Sequence, residues 1–156
     1  FVDFGNAYHL LQSTYLMAPG LKLAKVEDAN APGIRIGGVA NTATFRAVHP
    51  PAPKPPFVTV AGVDAAIAAM NAGQIDCIAL SRESLSGLIT KIPGSRMLEG
   101  GFLNSSTAVA VPKDKQDALA YVSAFIEKAK ANGVVRKALD AMNLQASQVA
   151  PAGMKP

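Results

Sequence analysis

The chain has 156 residues, 49% of them hydrophobic and 17% charged, with fifteen basic and eleven acidic residues for a net charge of +4. That length supports a real core, and size alone suggests one domain; the composition excludes a disordered chain. The basic residues are dispersed, with only a mild cluster at Lys113, Lys115, Lys128 and Lys130, which argues against nucleic-acid binding, and no run of eighteen apolar residues predicts a transmembrane helix.

The N-terminal Phe-Val-Asp-Phe-Gly is neither a basic leader nor an apolar one, so a secreted protein is expected in mature, truncated or processed form. Residues 10–17 are mostly apolar and aromatic and read as a strand, and Ala18-Pro19-Gly20 turns the chain. Residues 21–26 read as a second short strand and 26–32 as a polar loop. Residues 34–37 form a short strand, after which Asn41 or Thr42 can cap a helix. His49 opens a proline-rich segment, 49–56, that is incompatible with a helix and reads as an extended surface connector; a partner-binding polyproline segment is the alternative.

Residues 57–60 read as a strand leading to a helix that begins after Gly62. Val63, Ile67 and Met70 recur at spacings of four and three and so share one helical face. Gly73 stops that helix where a left-handed backbone is cheap. Ile75 to Leu80 is a near-continuous apolar run, the pattern of a parallel strand covered on both faces. The single cysteine, Cys77, lies inside it, which excludes an internal disulfide and a cysteine-based zinc cluster and makes the thiol a small core residue.

Ser81 can cap a helix over 82–90, 95–98 is short and ambiguous, and Gly100-Gly101 form a flexible joint. Residues 107–111 read as a strand that Pro112 stops. A long amphipathic helix is expected over 114–131, with Ala118, Val122, Phe125 and Ile126 on one face, then a short helix over 134–142 after Gly133. Residues 145–156, rich in Ala and Pro, read as a tail laid on the surface or disordered. Strands alternating with helices specify an α/β fold with a mostly parallel sheet.

Four segments in order carry a family resemblance. The run from Ala66 to Leu80 resembles the "L-x-x-G-x-x-D-A" helix-strand step of periplasmic solute-binding proteins of ABC transporters, the polar amino-acid type of extracellular family 3. Phe1-Val-Asp-Phe-Gly-Asn-Ala-Tyr8 resembles the segment before the interlobe crossover of that family. Gly33 to Thr44 resembles the first strand and helix start of its second lobe, and Thr107 to Asp114 its returning strand. The resemblance implies a periplasmic binding protein-like type II fold: one complete small lobe, hinge strands, and the C-terminal helices of an incomplete second lobe. On that reading 16–107 form the second lobe, 1–15 and 108–143 the hinge and partial first lobe, and 144–156 the tail. It further implies the C-terminal part of a protein roughly half again as long, a size typical of two domains.

Candidate chemistry follows from placement. Asn41, Thr42 and Thr44 lie at a helix start, where unbonded amides and a partial positive charge suit a carboxylate; an ordinary capped helix is the alternative. The resemblance implies that these positions hold the ligand carboxylate, although Asn41 stands where the family has glycine and Ala43 where it has a second hydroxyl. Ser81 sits at the carboxyl end of a strand, where open sheets place ligands. The family carries an Asp there for an ammonium, and a neutral hydroxyl makes no such charge-assisted bond. Either the ligand lacks an α-ammonium or an acid such as Glu83 substitutes, and Arg82 can meet a second anionic group; a capping Ser81 with a solvated Arg82 is the other reading. Tyr15 and Tyr8 flank the expected hinge and can stack on a ligand, or serve as core.

Asp76 reads as a local structural bridge. His9 and His49 have no metal-ligand spacing, and no catalytic motif is present, so no cofactor, no metal and no enzyme activity are expected. The expected role is the substrate-binding component of an ABC importer, closing two lobes on a small anionic or zwitterionic, amino-acid-like solute for a membrane permease. The hinge strands are expected near 13–17 and 108–111. A periplasmic location, and either an associated N-terminal fragment or a homo-oligomer, accompany that role. The alternatives are a sensory receptor module or a cyclohexadienyl dehydratase-like enzyme on the same scaffold, for which Glu83 and Glu99 are the available acids.

Overall fold

The computed structural model describes residues 1–48 and 56–156. His49 and the proline-rich segment, except Pro56, lie outside the described residues. The chain divides into two units: Gln12–Leu103, and Phe1–Leu11 with Asn104–Pro156. It therefore passes between them twice, at Leu11/Gln12 and at Leu103/Asn104.

The first crossing lies inside a sixteen-residue strand, β1 (Val2–Met17). In the Gln12–Leu103 unit β1 is joined by β2 (Ile36–Val39), β3 (Phe57–Val60), β4 (Cys77–Ser81) and β5 (Arg96–Met97), in the order β3-β2-β4-β1-β5. β2 runs parallel to β3 and β4, whereas β1 runs antiparallel to β4 and β5. The sheet is thus mixed rather than mostly parallel: β4 has a parallel neighbour on one side only. Its apolar run still reflects burial of both faces, since the first four residues of β4 are all buried.

The two faces carry separate cores. Leu16, Ile78 and Leu80 pack with Ala66, Ala69 and Met70 of α2 (Val63–Asn71) on one face. Tyr15, Met17, Cys77 and Ala79 pack with Val26, Ala29 and Leu98 on the other. Of the expected face Met70 is buried and Ile67 packs half-buried against this core, beside the buried Ala66 and Ala69. Val63 opens the first turn and remains 37% exposed. Gly73 follows α2 at φ +67°, the left-handed stop expected of it.

Two loops differ from expectation. Residues 21–26 form no strand; Lys25 makes one isolated bridge to Glu99. The expected polar loop contains a 3-10 helix, Val26–Asn30, because the Asp28 carboxylate accepts the amides of Ala24 (2.8 Å) and Lys25 (3.0 Å) and bends the chain there. These bonds hold the Asp28 carboxyl below its ordinary range. The helix after Ser81, α3 (Arg82–Ser86), ends four residues before the expected Thr90.

The other unit contains the N-terminal part of β1, β6 (Leu103–Pro112), α4 (Gln116–Ala131), α5 (Val134–Ala141) and β7 (Gln148–Val149). β6 runs longer than expected and includes Pro112. Of the two readings of residues 145–156 the structure has the chain laid down on the unit rather than disordered: β7 pairs antiparallel with His9 and Leu10 of β1, and the Ala7 amide donates to the Met154 carbonyl at 2.8 Å. Two residues are too few to show strand periodicity, so the pairing leaves no sequence signal. On α4, Ile126 and Ala129 are buried and Val122 half-buried, but Ala118 is exposed and Phe125 is 55% exposed. Among the described residues of this unit, Ala129, Val135 and Leu139 form a buried cluster, with Tyr8, Leu144 and Val149 against it.

Polar bonds fasten the C-terminal residues. Glu127 accepts from Lys130 (2.6 Å), Asn6 (2.8 Å) and the Gly153 amide (3.1 Å). Lys130 also donates to the carbonyls of Ala7 and Pro151, and Lys155 to the Asn6 side chain. The Lys130 ammonium and Asn6 amide hold the Glu127 carboxyl down at about 2. Arg136 forks onto Asp140 and the carbonyls of Leu144 and Ser147, closing α5 onto the approach to β7.

Candidate functional site

Several polar side chains of the Gln12–Leu103 unit lie at the carboxyl ends of β2 and β4. Beyond β2, Asn41 adopts φ +64°, a left-handed conformation that Asn tolerates better than other non-glycine residues. This explains how Asn can stand where the resemblance has glycine. The turn presents Thr42, whose hydroxyl donates to the Val39 carbonyl (2.9 Å) and accepts the Phe45 amide (3.0 Å). Thr42 thereby caps α1 (Ala43–Val48).

One turn into α1, Thr44 is buried, and its hydroxyl lies 2.9 Å from that of Ser13. Ser13 stands directly opposite Ser81 in the antiparallel register of β1 on β4. Ser81 accepts the Ser84 amide at 3.3 Å and donates to the Ser84 hydroxyl at 3.0 Å, capping α3. Two helix caps and a buried hydroxyl pair thus meet around the ends of two adjacent strands.

Arg82 follows Ser81 and is bonded to protein acceptors among the described residues. Its Nε donates to Gln12 Oε1 at 2.7 Å, and its Nη2 to the carbonyls of Gly100 (2.6 Å) and Leu98 (3.3 Å). Gln12 in turn runs over Gly101, where a Cβ would collide with the Gln12 Cγ and Cδ. Tyr15 is buried and stacks on Phe102 with ring centroids 4.6 Å apart. Burial, then the nearby Cys77, pushes its phenol up to about 12. It lines a pocket of about 250 Å³ with Val26, Glu27, Asn30, Val48 and Phe102.

The expected site residues therefore fall into three settings: Asn41, Thr42 and Ser81 at the strand ends, Thr44 buried behind them, and Arg82 and Tyr15 engaged with neighbouring protein groups. Ser13 and Gln12 join this group without having been singled out. The signal that finds them is register: once β1 lies antiparallel on β4, Ser13 must face Ser81.

Other titratable groups lie away from these strand ends or bond within the fold. Asp76 accepts the Arg35 amide and two guanidinium N–H groups at 2.8 to 2.9 Å, and Arg35 holds its carboxyl below the ordinary range. Burial, then the charge of Asp76, pushes the Cys77 thiol up to about 12, so it carries no reactive thiolate at neutral pH. Glu83 lies in the first turn of α3, and Glu99 uses its backbone to bridge Lys25 and Val26. Among the described residues no group of three His, Cys, Asp or Glu could hold a metal ion, and no helix is long and apolar enough to cross a membrane.

No family model and no curated protein matches the sequence. Solved structures do match. The substrate-binding protein AbpA of an amino acid ABC transporter from Streptococcus pneumoniae, bound to L-arginine, aligns over 90% of this chain and 60% of its own, at 19% identity and a TM-score of 0.70. The solute receptor for L-cysteine of Neisseria gonorrhoeae aligns over 90% and 56%, at 16% identity and 0.69. Holo ArgBP from T. maritima aligns over 83% and 57%, at 17% identity and 0.65. The chain thus has the fold of amino-acid substrate-binding proteins, the periplasmic binding protein-like fold, and spans somewhat under two thirds of their length. These similar proteins are binding proteins rather than enzymes.

Proposed function

We propose that this chain belongs to the substrate-binding component of an ABC importer and contributes one half of a site for a small anionic or zwitterionic, amino-acid-like solute. The observation that supports this most is the meeting of Thr42, Ser81 and the Ser13–Thr44 pair at the carboxyl ends of β2 and β4, where open α/β sheets bind ligands. The fold shared with amino-acid-binding proteins supports the same reading.

On this reading Asn41, Thr42 and Ser81 face the solute. Thr44, Arg82 and Tyr15 fix the surfaces behind them. The helix starts at Thr42 and Ser81 offer amides and a partial positive charge to a carboxylate, and no proton need move. The function is therefore binding, not turnover. The Gln12–Leu103 unit corresponds to the second lobe, with bending at the chain crossings, and the liganded protein docks on a permease from the periplasmic side.

The test is thermal denaturation with millimolar L-arginine, L-cysteine, L-glutamate and succinate in turn. A true ligand at a hundredfold excess over Kd stabilises by about 2.7 kcal/mol. The measurement is made on the protein carrying both halves of the site; its melting temperature unmoved by these four and by any other amino or carboxylic acid at millimolar concentration defeats the reading, and turnover of prephenate would replace it with the enzyme alternative.

A further inference from the structure

We propose that Arg82 is a positioning residue of this half-site, holding together the two segments by which the chain enters and leaves the Gln12–Leu103 unit. The role in solute binding rests on the reading above; the clamp itself does not.

The geometry carries the assignment. Gln12 is the first residue after one crossing, and Gly100 lies just before the other. A single guanidinium bonds both, through Nε to the Gln12 side chain and through Nη2 to the Gly100 carbonyl. The same Nη2 reaches the Leu98 carbonyl, which also accepts the Thr14 hydroxyl at 3.2 Å. The backbone repeats the connection: Phe102 donates its amide to Ser13, and Leu98 to Tyr15. Gly101 leaves room for Gln12 to lie across the returning segment.

Arg82 thus fixes Gln12 on one side of Ser13 while its own neighbour, Ser81, faces Ser13 across the ladder. The hydroxyls of Ser13, Ser81 and Thr44 depend on that alignment. A planar fork can serve acceptors on two segments at once; a lysine ammonium on a flexible stem lacks that fixed geometry. The bonds are charge-assisted, the strong class of hydrogen bond.

The experiment compares wild type with Arg82→Lys, Arg82→Ala, Gln12→Ala and the Gln12→Ala/Arg82→Ala double variant by amide hydrogen exchange without ligand. Both Arg82 variants should speed exchange at Leu98 and Phe102 by about tenfold, since a hydrogen bond to a charged group is worth that much or more. The double variant should add little to Arg82→Ala, because the two side chains act as one unit. Affinity for the best-binding probe among L-arginine, L-cysteine, L-glutamate and succinate should fall in parallel.

Unchanged exchange in both Arg82 variants overturns the proposal. So does unchanged affinity in a variant whose exchange has risen. Wild type carrying both halves of the site that binds none of the probes counts against the solute-binding reading instead, and the exchange result still decides the clamp.

Discussion

The two units stabilise themselves by different means. Gln12–Leu103 has a large apolar core on each face of its sheet, with Leu16, Ile36, Ile78 and Leu85 wholly excluded from solvent. In the other unit the buried cluster among the described residues has three members. That unit also holds nearly all the large exposed apolar side chains among the described residues: Phe1, Phe4, Tyr121, Phe125 and Met142 are at least half exposed, whereas in Gln12–Leu103 the one large exposed apolar side chain among the described residues, Val63, is 37% exposed. In their stead it relies on the Glu127–Lys130–Asn6–Lys155 bonds and the Arg136 fork. Similar apolar content thus gives two outcomes, because burial depends on which surfaces meet and not on hydrophobicity alone.

The sharpest way to break this comparison is truncation of one residue from each unit. Ile78→Ala should cost about 2–5 kcal/mol, the transfer loss plus an unfilled cavity, whereas Phe125→Ala should stay within about 0.5 kcal/mol as a surface change. Urea midpoints decide, and equal costs would abolish the contrast. Next in size is crowding. A Cβ at Gly38 would strike the Phe57 ring, so Gly38→Ala should destabilise by about 1–3 kcal/mol. Phe57→Leu in the same chain should recover part of the loss.

Asp76→Asn removes the charge that Arg35 meets and should cost about 1–3 kcal/mol in thermal melts. Because the Asp76 carboxyl is lowered in the folded protein, its contribution is full above the unfolded value near 3.8 and fades as pH falls below it. The mildest effect belongs to Glu127. Its stabilising contribution is present above pH 4.5 and disappears as pH falls toward about 2. Glu127→Gln should flatten that limb and speed exchange of the Gly153 amide, leaving the amides of β4 unaffected.

Local signals were legible wherever one residue type meets one backbone need. β3 falls on the expected residues 57–60, Gly73 takes the left-handed stop, and Thr42 and Ser81 cap the expected helices. Features set by distant partners were not. Phe125 fits the apolar stripe of α4, yet its exposure depends on what lies opposite. β7 exists because His9 and Leu10 offer an edge far away in sequence. Of the site, the caps could be read from spacing, whereas Ser13 and Gln12 required the antiparallel register of β1 on β4.

The chain's sole cysteine is sealed in the sheet, with its thiol held protonated. A cysteine introduced at an exposed position such as Asp64 or Asp117 would therefore be the one nucleophile that a maleimide finds. Fluorophores or spin labels can be attached one at a time, or in pairs across the two units, without first removing the native thiol.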